Sequence, residues 1–249
     1  MQKLTDAWFS FKGTRSDSLG IYMTQMPVRH LPRKNVALIK VAGRSGSVRI
    51  SDGSYEDINI SISFKVFDTT KLSQIDTLLT GSGQLIFSDD QTHAYNAVID
   101  MDNTRRSTHY RYDAQTYDVT FTCDPTKTLV TPAANIVVTT SGTLSSNPGT
   151  APALPRVAIV GSGDFSVTIG QQTIYFTGVA TGVIVDSELG DVLTSDGTLL
   201  ANDKADGELW SIPPGSFAVS WAEGGSDDEG NTTSGSVTSI TITPRWRYL

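Results

Sequence analysis

Three loops and three histidines are where this sequence holds residues of the right type for chemistry. Gly161-Ser162-Gly163 has the small residues of a phosphate loop. Such a loop cradles phosphate with backbone N–H groups and needs a further glycine, a lysine and a following helix. None of these follows, so the segment reads as a plain turn. Asn202-Asp203-Lys204-Ala205-Asp206-Gly207 spaces its oxygens like a calcium loop, but Lys204 stands where a ligand oxygen belongs. It too reads as a surface turn. Ser226-Asp227-Asp228-Glu229-Gly230-Asn231 gathers carboxylates that could attract a weak cation, although a solvated acidic hairpin tip accounts for it as well. His30, His93 and His109 lie far apart, without metal-ligand spacing between any two. No serine sits in a Gly-x-Ser-x-Gly elbow. A hydrolase reading rests on abundant carboxylates alone. The residues therefore point away from an enzyme, and no metal or cofactor is expected.

Sugar binding asks for an exposed aromatic ring with polar groups around it. Trp221 is in phase with Phe217 and Val219, which puts it in the core. Trp210, beside Ile212-Pro213-Pro214, is the remaining candidate contact for a ligand. Single exposed apolar residues are ordinary, so this feature alone does not make a binding site.

The totals set the frame for these residues. A chain of 249 residues with 38% hydrophobic residues, 18% charged residues and 22 glycines has an all-β profile of short strands and polar turns. A net charge of −7 argues against a protein held to nucleic acid by phosphate contacts. The charge is uneven. Residues 1–130 carry 15 Lys/Arg and 14 Asp/Glu, whereas residues 131–249 carry 4 and 12, which favours two domains with different surroundings. The single cysteine, Cys123, excludes an intramolecular disulfide and reads as a small buried apolar residue. No signal peptide and no membrane anchor are expected, because no stretch has the required apolar run.

The elements that position everything else centre on Val41 to Val66. Gly43-Arg44-Ser45-Gly46 reads as a tight turn and Ser51-Asp52-Gly53 as a second, followed by a long strand. There Ile58, Ile60, Ile62, Phe64 and Val66 line one face and Asn59, Ser61, Ser63 and Lys65 the other. Asp68 is a good cap for a helix in which Leu72, Ile75, Leu78 and Leu79 recur at helical spacing, with Gly81 ending it. Strands are expected at 84–88, 94–99 and 110–123, and Ile136-Val137-Val138 is apolar enough for another. Composition shifts towards Thr, Ser, Pro and Ala after Asp124, placing a boundary near residue 130. From Pro155 onward short strands separated by glycine-rich turns, at 161–163 among others, have the spacing of a β-sandwich.

The order of these features carries a resemblance. Trp8-Phe9-Ser10-Phe11 leads to Ser16-Asp17-Ser18-Leu19-Gly20-Ile21-Tyr22, then Gly43-Arg44-Ser45-Gly46 and Asp52-Gly53-Ser54-Tyr55-Glu56-Asp57. After the helix comes Gly83-Gln84-Leu85-Ile86-Phe87-Ser88-Asp89. Asn147-Pro148-Gly149-Thr150, Val185-Asp186-Ser187-Glu188-Leu189, Pro214-Gly215-Ser216-Phe217 and Ile242-Thr243-Pro244-Arg245-Trp246-Arg247 follow. The ordered set covers essentially the whole chain and resembles the distal tail protein (Dit) family of long-tailed, non-contractile bacteriophages and their prophages. Ser45 stands where many relatives have an acid. The resemblance implies an all-β protein with one helix, in two parts. Residues 1–130 would form an N-terminal β-sandwich-like ring domain, and 131–249 a C-terminal galectin-like β-sandwich. It implies a structural tail-tip (baseplate) hub made in the cytoplasm of the host bacterium. Its homo-hexameric ring would join the major tail protein and tape measure protein to the tail-associated lysin or fibre hub and receptor-binding parts. Some relatives carry an inserted carbohydrate-binding module, for which this chain has no segment of sufficient length. The alternative is a lectin-like carbohydrate-binding module acting in host recognition.

A polar but mostly uncharged strand face suits a subunit contact better than open water. The expected interface is therefore Asn59, Ser61, Ser63 and Lys65, with Gly43 and Arg44 in the turn ahead of them.

Overall fold

The computed structural model describes residues 7–99, 104–108, 114–226 and 232–249. His109 and most of the acidic 226–231 segment, from Asp227 to Asn231, lie outside them. The fold is nearly all β, with one short α-helix among the described residues, as the composition indicated. The chain divides into two compact units, Met1–Val130 with Leu249, and Thr131–Tyr248.

The first unit contains β1 (Phe9–Phe11), β2 (Thr14–Arg15), β3 (Ile21–Met23), β4 (Lys34–Lys40), β5 (Ser47–Tyr55), β6 (Ile58–Val66), α1 (Leu72–Leu78), β7 (Gly81–Phe87), β8 (Asp90–Ile99), β9 (Thr104–Thr108) and β10 (Ala114–Leu129). Its main sheet runs in the order β2-β1-β7-β8-β10-β6-β3, with β9 also on β10. Neighbours pair antiparallel, and β10 and β6 run in unbroken register from Gln115↔Val66 to Cys123↔Ile58. The alternation of β6 is realised: Ile58, Ile60, Ile62, Phe64 and Val66 are buried, and the residues between them face outward. Although β7, β8 and β10 separate β1 from β6 in the sheet, the Phe9 and Phe64 rings are 5.9 Å apart. Phe11 meets Phe121 of β10 edge-on at 5.1 Å. The sheet therefore curls until its inner face packs on itself. Ile75 and Leu79 add to the same core from the helix side.

The helix is shorter than its pattern. Asp68 caps a 3-10 turn, Thr69–Lys71, by accepting from the Thr70 N–H at 3.0 Å. The α-helical part then ends at Leu78, with Leu79 as its cap, and Gly81 opens β7. The second expected turn is also different. Ser51-Asp52-Gly53 lies inside β5, where Asp52 accepts from the Ser54 N–H at 2.9 Å and Gly53 has φ 85°. The turn chemistry is satisfied locally, but pairing with β4 continues past it as a register shift between Lys34 and Val36. A left-handed φ of that size suits glycine alone.

The second unit contains β11 (Ile136–Val138), β12 (Thr143–Asn147), β13 (Arg156–Ile169), β14 (Gln172–Val179), β15 (Val183–Asp186), β16 (Asp191–Thr194), β17 (Ala205–Asp206), β18 (Gly215–Glu223), β19 (Gly225–Ser226), β20 (Thr232–Thr233) and β21 (Gly235–Thr243). The 161–163 turn expected from its glycines is absent, because β13 runs straight through it. Its first half pairs with β15 and β21, and its second with β14 and β18, so one strand serves two sheet segments. The changeover falls at Gly161–Gly163, where the register shifts. A Cβ on Gly163 would lie 2.2 Å from the Ser234 carbonyl oxygen, so backbone approach, not a reversal of direction, explains the glycine. Strands that change sheet at a bulge are how sandwiches make corners.

Candidate assembly site

The interface expected from the sequence splits into two places. Gly43 and Arg44 belong to an arm, β4 and β5, which forms a two-stranded sheet of its own. Asn59, Ser61, Ser63 and Lys65 belong to β6 in the main sheet. The two were expected to form one continuous hairpin, and they do not.

The arm's register is Val36↔Ser51, Ala37↔Ile50, Leu38↔Arg49, Ile39↔Val48 and Lys40↔Ser47. Alternation sorts Ala37, Ile39, Val48 and Ile50 onto one face, and Val36, Leu38, Arg49 and Lys40 onto the other. Every residue of β4 is exposed, Leu38 by 64%, and Ile50 of β5 is 52% accessible. The mixed face carries a shallow groove of about 400 Å³ lined by Arg33, Lys34, Val36, Leu38, Arg49 and Glu56. An apolar ribbon with neither face covered is unusual for an isolated chain, because a lone two-stranded hairpin is marginal in water.

The polar row on β6 is tied to its own sheet. Ser61 shares a hydrogen bond with Thr120 at 2.9 Å, Ser63 donates to Asp118 at 2.5 Å, and Thr122 reaches Asn59 at 3.4 Å. Asp118 in turn pairs with Arg106 at 3.6 Å. These side chains face outward but are already engaged across the β6–β10 pair.

The other chemical candidates resolve into structural roles. Trp210 is fully buried, tilted against Phe176 with the ring centroids 6.4 Å apart, and its indole N–H donates to the Gln172 carbonyl at 3.1 Å. The expectation of an exposed ring there is corrected: the hydrogen bond satisfies its one polar atom and the core takes the rest. Trp221, assigned to the core by its phase, is half-buried instead. In the calcium-like loop, Asn202 accepts from the Val192 N–H at 2.6 Å and Lys204 lies 3.6 Å from Asp203. Among the described residues no group of three or more His, Cys, Asp or Glu is placed to hold a metal. Among them, no helix is long and apolar enough to cross a membrane.

His93 belongs to a cluster on β8 and β10. Burial raises the Asp90 carboxyl, but hydrogen bonds from His93 and Thr92 and the charges of His93 and Lys127 outweigh it and hold the group at about 2. A second cluster lay outside the sequence reading. Asp186, with a side chain 3% exposed, receives Arg245 through two bonds of 2.6 and 2.9 Å. It also accepts from the Glu188 N–H at 3.2 Å, and Arg156 stands 3.8 Å away. Burial opposes this carboxylate, yet the Arg245 hydrogen bonds and charge hold it below its usual range. Arg245 reaches it from a left-handed φ of 48°. The sequence signal was the Asp186–Leu189 and Arg245–Arg247 pair of motifs, whose partnership spans 59 positions and is invisible without the fold.

No protein-family model matches the sequence, and no curated protein matches it. The fold does have a solved counterpart. The crystal structure of the Dit protein of SPP1, described as a paradigm of the hub adsorption apparatus in phages that infect Gram-positive hosts, matches with a TM-score of 0.74. The match covers 98% of this chain and 99% of that one, at 15% sequence identity. At that identity the likeness is one of fold: this chain has the fold of that phage hub protein.

Proposed function

We propose that this chain is a structural hub protein of a phage tail tip and acts as a ring of identical copies. The observation that carries the reading is the end-to-end likeness to the SPP1 hub protein, over 98% of this chain. The ordered motifs from Trp8 to Arg247 support it from the sequence side. In this reading residues 1–130 build a hexameric ring, and residues 131–249 form a galectin-like sandwich on its outside. The ring joins the major tail protein and tape measure protein to the tail-associated lysin or fibre hub, at the tail tip of the virion. In this reading the chain acts structurally rather than as an enzyme, and its partners are other tail proteins rather than nucleic acid.

Two features of the chain favour assembly. Apolar side chains on both faces of the arm are left to water, which a neighbouring subunit would cover. The near-neutral front unit suits a packed ring, and the acidic back unit suits a solvated periphery. Gly43 and Arg44 on the arm, with Asn59, Ser61, Ser63 and Lys65 on β6, then lie at or near the seam between copies. The lectin-like alternative loses its aromatic contact, since Trp210 is buried.

Negative-stain images and light scattering of the purified protein test this. Rings of uniform size with six-fold averages are expected. A chain that stays monomeric and binds on a glycan array would replace the hub with the lectin-like reading.

A further inference from the structure

β6 is paired along only one edge for much of its length. Towards β10 it pairs from Ile58 to Val66, but towards β3 only from Phe64 to Val66. One further bond extends that side, from the Thr24 N–H to the Ser63 carbonyl at 3.1 Å. In an antiparallel strand, each residue aims its N–H and C=O to one side and its neighbour to the other. The Ser63 carbonyl faces β3, so the backbone groups of Ser61 and Asn59 face that side as well. They have no hydrogen-bond partner among the described residues, and both residues are exposed. The molecule thus carries an open sheet edge at Asn59–Ser61.

It also carries a spare strand. Among the described residues β4 and β5 pair only with each other, so each has one open edge. We infer that the arm of one copy adds its β4 strand to the open edge of β6 in the next, continuing the sheet across the subunit boundary. This rests on the ring reading above and specifies how its copies join.

Several observations select a second copy as the occupant. Edge and strand lie at different places on the same unit, which gives a head-to-tail contact of the kind that closes into rings. The seven residues of β4 span the open run of β6 with length to spare. Alternation allows Ala37 and Ile39 to continue the apolar side of Ile58, Ile60 and Ile62, while Val36 and Leu38 lie beside Asn59 and Ser61. Charge agrees. The arm and its root carry Arg33, Lys34, Lys40, Arg44 and Arg49 against Asp52 and Glu56, whereas Asp57 stands beside the open run of β6.

The test uses the full chain and two variants. Ser61→Pro removes an N–H that points away from β10, so the intrachain ladder is kept while the edge loses a donor. Replacing residues 36–52 by a short Gly-Ser turn removes the arm. Both variants should be monomeric by light scattering, with the far-ultraviolet circular dichroism of a folded β protein. The amides of Asn59 and Ser61 should exchange roughly 100-fold more slowly in wild-type rings than in the armless chain. Rings that persist in either variant, or free exchange of those amides within rings, overturn strand addition and leave the hub reading standing. A wild-type chain monomeric at every concentration overturns the ring and this inference with it.

Discussion

Val36-Ala37-Leu38-Ile39 and Val157-Ala158-Ile159-Val160 are nearly the same four residues, and both are β-strand. Their surroundings are opposite. Val157 and Ile159 are 0% and 2% exposed, whereas Val36 and Leu38 are 39% and 64% exposed. The difference lies in the neighbours. Val157 is flanked by Val185 of β15 and Ile242 of β21, and its inner face meets a core. Val36 has Ser51 on one side and, among the described residues, no strand on the other. Burial is a property of the contacts a run acquires, and the same apolar string serves as core in one unit and as uncovered surface in the other.

The contrast is sharpest under truncation. Ile159→Ala should destabilise the second unit by about 2–5 kcal/mol, as a lost side chain in a packed core does. Leu38→Ala should change monomer stability by less than about 0.5 kcal/mol. Urea unfolding followed by tryptophan fluorescence and circular dichroism measures both, and equal midpoint shifts would break the comparison. The next effect concerns what holds β15 against β13. Arg245→Ala leaves the buried Asp186 with only Arg156 and backbone N–H groups, at an expected cost of about 3 kcal/mol. An unchanged melting temperature would show that the clamp contributes nothing to that cover.

Acid should separate the units more gently. A carboxylate whose folded pKa is depressed contributes stability above its ordinary value and loses it as pH falls through the folded one. For Asp90, ordinarily at 3.8 and held at about 2, the loss falls between those values. Asp90→Asn should flatten that part of the first unit's acid-unfolding curve. Asp186 follows the same sign, with its contribution fading below the ordinary carboxylate range. A wild-type chain whose stability stays level or rises as pH falls through that interval would contradict both.

The legible parts of the fold were those encoded by near neighbours. The period of β6 named its buried face from Ile58 to Val66, and Asp68 marked the start of the helical segment. What the sequence concealed depends on distant residues. Val36 to Ala42 has the apolar run of an ordinary strand, and nothing local announces that its covering strands are missing. Trp210 reads as exposed beside two prolines because Gln172, which accepts its N–H, lies 38 positions away. Glycines at 161 and 163 read as a turn because a bulge forced by Ser234 and Gly235 uses the same residue type. For the candidate site, sequence alternation picked out β6 but named its outward side chains. The open groups belong to its backbone, which carries no residue-specific signal.

Cys123 has a practical consequence. It is 1% exposed, and burial, with the charges of Asp124 and Asp57, pushes its thiol up to about 12. At neutral pH only on the order of one such group in 100,000 is a thiolate, the form that reacts with maleimides. The native chain is therefore almost silent to thiol labelling. A cysteine placed at Arg44, on the arm, would carry a dye alone, and its fluorescence would report the arm passing from water to protein without any need to remove the native sulfur.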